Sequence, residues 1–172
     1  MSYSHPMQAR APHPRRIALA VLCSAVWVAA TSCSHTPAYS ARTLGGERFT
    51  SESLKGSVVL VQFWTTWCPY CRRDQPAVDA LARQYYDQGL MVLAVDVGEP
   101  REKVREYLSR SPRSCRVVAS EDTDLVDVLG GHSFPYYVLI DRDGRIAGDQ
   151  HGSGGEESLR QLLAKAGIGG PL

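Results

Sequence analysis

The chain is nearly without net charge, +1 at pH 7 with histidine neutral, which removes any charge-based case for nucleic acid or an acidic ligand. No apolar run reaches the roughly 20 residues that a membrane-spanning helix needs. Internal repeats and low-complexity tracts are missing, so repeat architectures are excluded. Acidic residues are absent before Cys33, where Arg10, Arg15 and Arg16 are the only charged side chains. Cysteine is sparse too: five in all, of which only Cys68, Cys71 and Cys115 lie in the body of the chain. Three, with two of them a helical turn apart, do not make a structural disulfide framework.

What is present suits one soluble domain. The 172 residues are 44% hydrophobic and 22% charged, enough for a real core and too few for two comfortable domains. The positive start is followed by an apolar stretch over 17–30 and then by small residues, the pattern of an export signal. Ala30-Thr31-Ser32-Cys33 resembles a bacterial lipobox, although Ala30 stands where Leu is usual. Three outcomes stay open: lipidation of Cys33, plain cleavage nearby, or an uncleaved anchor. Each puts the domain outside the cytoplasm. Residues 1–33 are therefore read as the export signal, 34–41 as a tether, 42–167 as the domain and 168–172 as a flexible end.

The domain is organised around residues 58–71. Val58-Val59-Leu60-Val61-Gln62-Phe63 is an apolar run of strand length, expected to be central and covered on both faces. It delivers Cys68-Pro69-Tyr70-Cys71 to a helix predicted over 69–88, stopped by Gly89 and interrupted by Pro76. Before it, Gly45-Gly46 marks a hairpin and 51–56 a helical turn. After it come a buried strand at 90–95, a helix at 99–109, a short strand at 116–119 and a helix at 122–129. A strand at 136–140 turns at Asp143-Gly144 into its partner at 145–149, and a helix over 156–166 ends the domain. This order predicts an α/β fold. Its central mixed sheet is flanked by helices, with an N-terminal hairpin and an extra helix–strand unit after the second core strand.

Two cysteines at the start of a helix are suited to thiol–disulfide exchange, which needs a thiolate attacker and a second thiol in bonding reach. Cys68 faces the unpaired N–H groups and positive dipole end of the helix, which favour its thiolate. It is read as an exposed nucleophile, and Cys71, turned inward, as the resolving thiol. Pro69 suits the first helical position because it has no N–H to leave unpaired. A zinc half-site would need two more ligands, and Cys115, His132 and His151 offer no paired spacing; no metal is expected. Copper delivery by the two thiolates competes, but none of the three methionines lies near them. A peroxidase is disfavoured because no Pro-x-x-x-Thr-x-x-Cys arrangement occurs. Trp64 is read as packing and Trp67 as substrate-facing surface, and Cys115 as a small buried hydrophobe. Arg72 and Arg73 add positive charge beside Cys68.

Three landmarks in order carry a family resemblance: Phe63-Trp64-x-x-Trp67-Cys68-x-x-Cys71, Pro76 five residues on, and Phe134-Pro135 before Val138-Leu139-Ile140-Asp141. Over roughly 42–166 the chain resembles the thioredoxin superfamily, and within it the membrane-tethered TlpA/ResA-type thiol–disulfide oxidoreductases. The resemblance implies a cis bond at Phe134-Pro135, with that loop, Trp67, Pro69 and Tyr70 binding a peptide substrate. It also implies that Asp74, where an acid, usually Glu, stands in the family, manages the proton of the thiols. The alternative for Asp74 is an ordinary first-turn acid, and Asp is a methylene shorter than Glu. Gln62 replaces the buried acid of thioredoxins. Phe134 and Tyr136 replace smaller residues, which suggests altered partner choice. The expectation is a monomer with no cofactor beyond the Cys68–Cys71 disulfide. It would serve protein thiols and disulfides and draw electrons from a membrane thiol donor. Cytochrome c or other metalloprotein maturation is implied as its setting, with net oxidation of clients as the competing direction.

Overall fold

The structure, a computed structural model, describes residues 35–169. Its centre is a seven-residue strand, β3 (Val58–Trp64), every residue of which is buried. β-Branched and aromatic side chains alternate there between two faces. Val59, Val61 and Phe63 join Leu93, Val95, Val138 and Leu125 on one face; Val58 and Leu60 join Val78, Leu81, Leu139 and Leu159 on the other. Beside it lie β4 (Leu90–Asp96), parallel, and β6 (Tyr136–Ile140), antiparallel.

The remaining strands are β1 (Ser40–Thr43), β2 (Arg48–Thr50), β5 (Arg116–Thr123) and β7 (Ile146–His151). The mixed sheet runs β2-β1-β5-β4-β3-β6-β7. Helices α1 (Pro69–Gln84) and α4 (Gly155–Ala164) pack on the face that holds Leu60 and Leu139; α3 (Leu125–Leu129) packs on the other. Helix α2 (Arg101–Arg110) and β5 form the helix–strand unit after β4, with β5 parallel to β4. The N-terminal hairpin closes the sheet by pairing β1 antiparallel to β5. This is the thioredoxin-like α/β fold expected from the order of elements.

Several boundaries differ from the sequence reading, each for a local reason. Helix α1 ends at Gln84 and the chain tightens into a 3-10 turn over Tyr86–Gln88, because it must reverse at Gly89 (φ +81) to enter β4. The Tyr85 carbonyl accepts from Gln88 and Leu90, closing that reversal. Helix α2 starts at Arg101 rather than 99, since a residue preceding proline is pushed out of helical geometry and Pro100 itself is extended (ψ 140°). β5 runs on to Thr123, leaving α3 a short helix. Residues 51–56 form turns and no helix.

The expected tether is part of the fold. His35 bridges to Arg145, Tyr39 is buried and β1 begins at Ser40, so the domain starts before residue 42. Ile168 is buried as well, which moves its end beyond 167. The export signal and Cys33 lie outside the described residues. Among the described residues no helix is long and apolar enough to cross a membrane.

Candidate active site

β3 ends at Trp64, and four residues later Cys68 caps the N-terminus of α1, its sulfur accepting from the Cys71 N–H at 3.1 Å. Cys68 and Cys71 are joined in a disulfide with Cα atoms 5.3 Å apart. Pro69 takes the first helical position, as its missing N–H predicts. Cys68 is 2% exposed, as is Cys71, which corrects the expectation of an exposed nucleophile. Bonded inward to Cys71, Cys68 packs in one cluster with Trp64, Ala94 and the half-buried Phe134. The exposed groups beside it are Trp67 and Tyr70, at 59% and 56%.

The Phe134–Pro135 bond is cis, as the resemblance implied. Phe134 meets Trp67 edge to face at 6.1 Å, so the two aromatics join the cysteine loop to the proline loop. Tyr136 stacks between Phe63 and His151, the imidazole only 4.1 Å away and nearly parallel. His151, which sequence left without a partner, also pairs its Nδ1 with the Ser133 hydroxyl at 2.9 Å. Arg73 lies over the Tyr70 ring at 5.1 Å, and Arg72 donates to the Thr66 carbonyl. Trp64 is buried, as read.

Asp74, one turn after Cys71 on α1, is buried rather than a surface acid. Its Oδ2 accepts from the Tyr137 hydroxyl at 3.0 Å and its Oδ1 from the Ser153 hydroxyl. Tyr137 in turn accepts from Gln62 Nε2 at 3.1 Å, and Gln62 Oε1 accepts from Arg113 at 2.7 Å. Burial, reinforced by the Asp74 carboxylate, raises the Tyr137 pKa and keeps its proton in place. The sequence signal for this group was Gln62, the one polar side chain inside an apolar strand, which must find buried partners. It pairs in register with Tyr137 on β6.

A second buried group was missed. Glu99 accepts from the Thr66 N–H at 2.5 Å, from the Thr66 hydroxyl at 2.8 Å and from Lys103 at 2.6 Å. It thus holds the turn just before Cys68. Burial acts to raise its pKa but is outweighed by donors from Lys103 and Thr66, which hold it at about 2. Asp96, opposite Trp64 in the sheet, is fully buried beside Glu99. Burial first, then the neighbouring Glu99, pushes it up to about 8. The legible hint was an acid closing the otherwise apolar β4. Cys115 is a free thiol that is half-buried rather than fully buried as expected; its pKa is pushed up to about 11, chiefly by burial, which fits packing better than redox work. Among the described residues no group of three or more His, Cys, Asp and Glu could hold a metal ion.

The comparisons agree with this geometry. The Redoxin family model matches residues 31–163. The thiol-disulfide oxidoreductase ResA of Halalkalibacterium halodurans is 29% identical over 120 residues, spanning 70% of this chain and 68% of that protein. ResA of Geobacillus thermodenitrificans is 29% identical over 130 residues, 76% of this chain and 75% of that one. A solved thioredoxin-family thiol:disulfide interchange protein from Chlorobium tepidum superposes with a TM-score of 0.67 at 25% identity, covering 77% of this chain and 95% of its own. With a CxxC disulfide capping a helix beside a cis-proline loop, the chain belongs to the Redoxin family and is a TlpA/ResA-type thiol–disulfide oxidoreductase of the thioredoxin superfamily.

Proposed function

We propose that this oxidoreductase works outside the cytoplasm, held at the membrane by its N-terminal segment, and reduces disulfides in protein substrates. The observation that carries the mechanism is a buried acid with two hydroxyl donors, Asp74, one helical turn from the resolving cysteine. A thiol donor reduces the Cys68–Cys71 disulfide, taking up the disulfide itself. The Cys68 thiolate, favoured at the helix N-terminus, then attacks one sulfur of the client disulfide, and the other client sulfur leaves as a thiolate. Cys71 passes its proton to Asp74 and attacks the Cys68 sulfur. That releases the second client thiolate and restores the disulfide, so two electrons move to the client and no bound cofactor is needed. Trp67, Pro69, Tyr70, Phe134 and the cis Pro135 are the surface offered to an extended client segment.

The export pattern before Cys33 supports the location, with Cys33 as the lipidated residue. Electrons would come from a membrane thiol donor, and the clients would be cysteines of apocytochrome c or another metalloprotein, met by a monomeric enzyme. Mass spectrometry of the mature N-terminus tests the anchor: an unmodified chain without residues 1–33 would remove it. Insulin disulfide reduction tests the chemistry, with Cys68→Ser abolishing turnover and Cys71→Ser trapping a mixed disulfide. Turnover surviving in Cys68→Ser would sink this mechanism. For Asp74, the curve of thiol alkylation against pH in the reduced protein is decisive. A buried anion near the thiols penalises the thiolate, so Asp74→Asn moves the curve to lower pH while slowing client release. An unchanged curve would reduce Asp74 to a structural acid.

A further inference from the structure

We infer that Tyr137 is the positioning residue for Asp74, its hydroxyl completing a one-way chain of donors that holds the carboxylate ready to receive the Cys71 proton. The inference rests on Asp74 being the acid of the exchange. Its ground is the direction of the hydrogen bonds. Arginine can only donate and an ionised carboxylate can only accept, so every group between them has a determined orientation. Arg113 donates to Gln62 Oε1, which turns the amide NH₂ toward Tyr137; that leaves the phenol proton for Asp74 Oδ2. From the other side Arg73 donates to the Ser153 hydroxyl at 3.0 Å, and Ser153 donates to Asp74 Oδ1. Two chains, each beginning at an arginine, therefore end on the two oxygens of one buried carboxylate.

Donors aligned in one direction polarise one another, and a buried carboxylate depends on them for its charge. Arg113 is suited to anchor such a chain. Its side chain is 1% exposed, its nearest carboxylate is Asp79 at 3.9 Å, and its guanidinium lies 5.0 Å from the Trp64 ring centre. The side from Ser153 opens on a cleft lined by Arg73, Pro76, Gly154 and Glu156, which offers the proton collected by Asp74 a way to solvent. The ionisable groups facing Asp74 are thus Cys71 and Arg73 from α1, Tyr137 from β6, Glu156 from α4, and Arg113 through Gln62. Tyr137 is the one whose hydroxyl can be removed with the ring kept.

The test is alkylation of the reduced protein by iodoacetamide across pH, for wild type, Asp74→Asn, Tyr137→Phe and the double variant. Loss of one charge-assisted donor is expected to move the Tyr137→Phe curve toward that of Asp74→Asn by about half a pH unit, a roughly three-fold change in rate below the midpoint. The double variant is expected to match Asp74→Asn alone, because both changes act through one carboxylate. A role in packing alone would lower the melting temperature and leave the curve in place. A shift in Asp74→Asn with none in folded Tyr137→Phe overturns this inference and spares the Asp74 reading. No shift in either overturns both. Should Tyr137→Phe fail to fold, Gln62→Met removes the donor behind the phenol and must shift the curve in the same direction; a wild-type curve there overturns the inference equally.

Discussion

Asp96 is a single side chain with a measurable consequence for the whole protein's pH response. Its folded pKa of about 8 lies above the ordinary 3.8, so at neutral pH the folded chain keeps a proton that the unfolded chain has released. Stability should therefore fall as pH rises from about 4 to about 8 and level off above that. Asp96→Asn is neutral in both states and should flatten this part of the profile. Urea midpoints at pH 5, 7 and 8.5 check it, and parallel profiles for variant and wild type would refute it. Glu99 works the other way: held at about 2 against an ordinary 4.5, it contributes stability above 4.5 that is lost as pH falls toward 2. Cys115, at about 11, should stay unmodified at pH 7.5 under conditions that alkylate reduced Cys68. Peptide mass mapping reads this directly. Cys68 and Cys71 were legible because they belong to a motif of fixed spacing, and the cis proline at 135 because the family resemblance implies it. Tyr137, Ser153, Arg113 and Glu99 were not, since each meets its partner across 30 or more residues of chain.

Two loops meet over the disulfide, one ending β3 and one beginning β6, and their aromatics decide how open the site is. Phe134 packs in the cluster that buries Cys68, and Trp67 meets it edge to face. Phe134→Ala should open the disulfide and speed its reduction by dithiothreitol several-fold, measured under pseudo-first-order conditions; an unchanged rate would show that burial there does not limit access. Packing is equally tight on the opposite face of β3. A Cβ on Gly131 would lie 2.3 Å from the Phe63 ring, so only glycine fits where the chain passes that strand. Gly131→Ala should cost about 1–3 kcal/mol in urea unfolding, the usual range for overpacking. The central strands β3, β4 and β6 were read well because their apolar runs are continuous, whereas β5 and β7 carry polar residues and run past the expected ends. The helix ends were read less well: α1 stops at Gln84 because the chain must reverse at Gly89 to enter β4, and α2 starts at Arg101 because Pro100 is extended.

At the scale of the molecule, folding stability and the direction of electron flow are linked. A dithiol whose reduced form is the more stable is an oxidant, and one whose disulfide form is the more stable is a reductant. The proposed reductase should therefore melt at a higher temperature oxidised than reduced, by calorimetry on both forms. A reduced form that melts higher would identify an oxidant of clients and displace that reading.

By itself the sequence determined the fold class, the order of its elements and the dithiol, since these follow from local periodicity, turn chemistry and a motif four residues long. It also placed Asp74 one turn from Cys71. Only the tertiary structure decided that Asp74 is buried, that two chains of donors converge on it, and that Cys68 is covered in the disulfide form. Burial and hydrogen-bond direction depend on residues from separate strands and loops arriving at one place. No periodicity along a single strand or helix encodes that arrival.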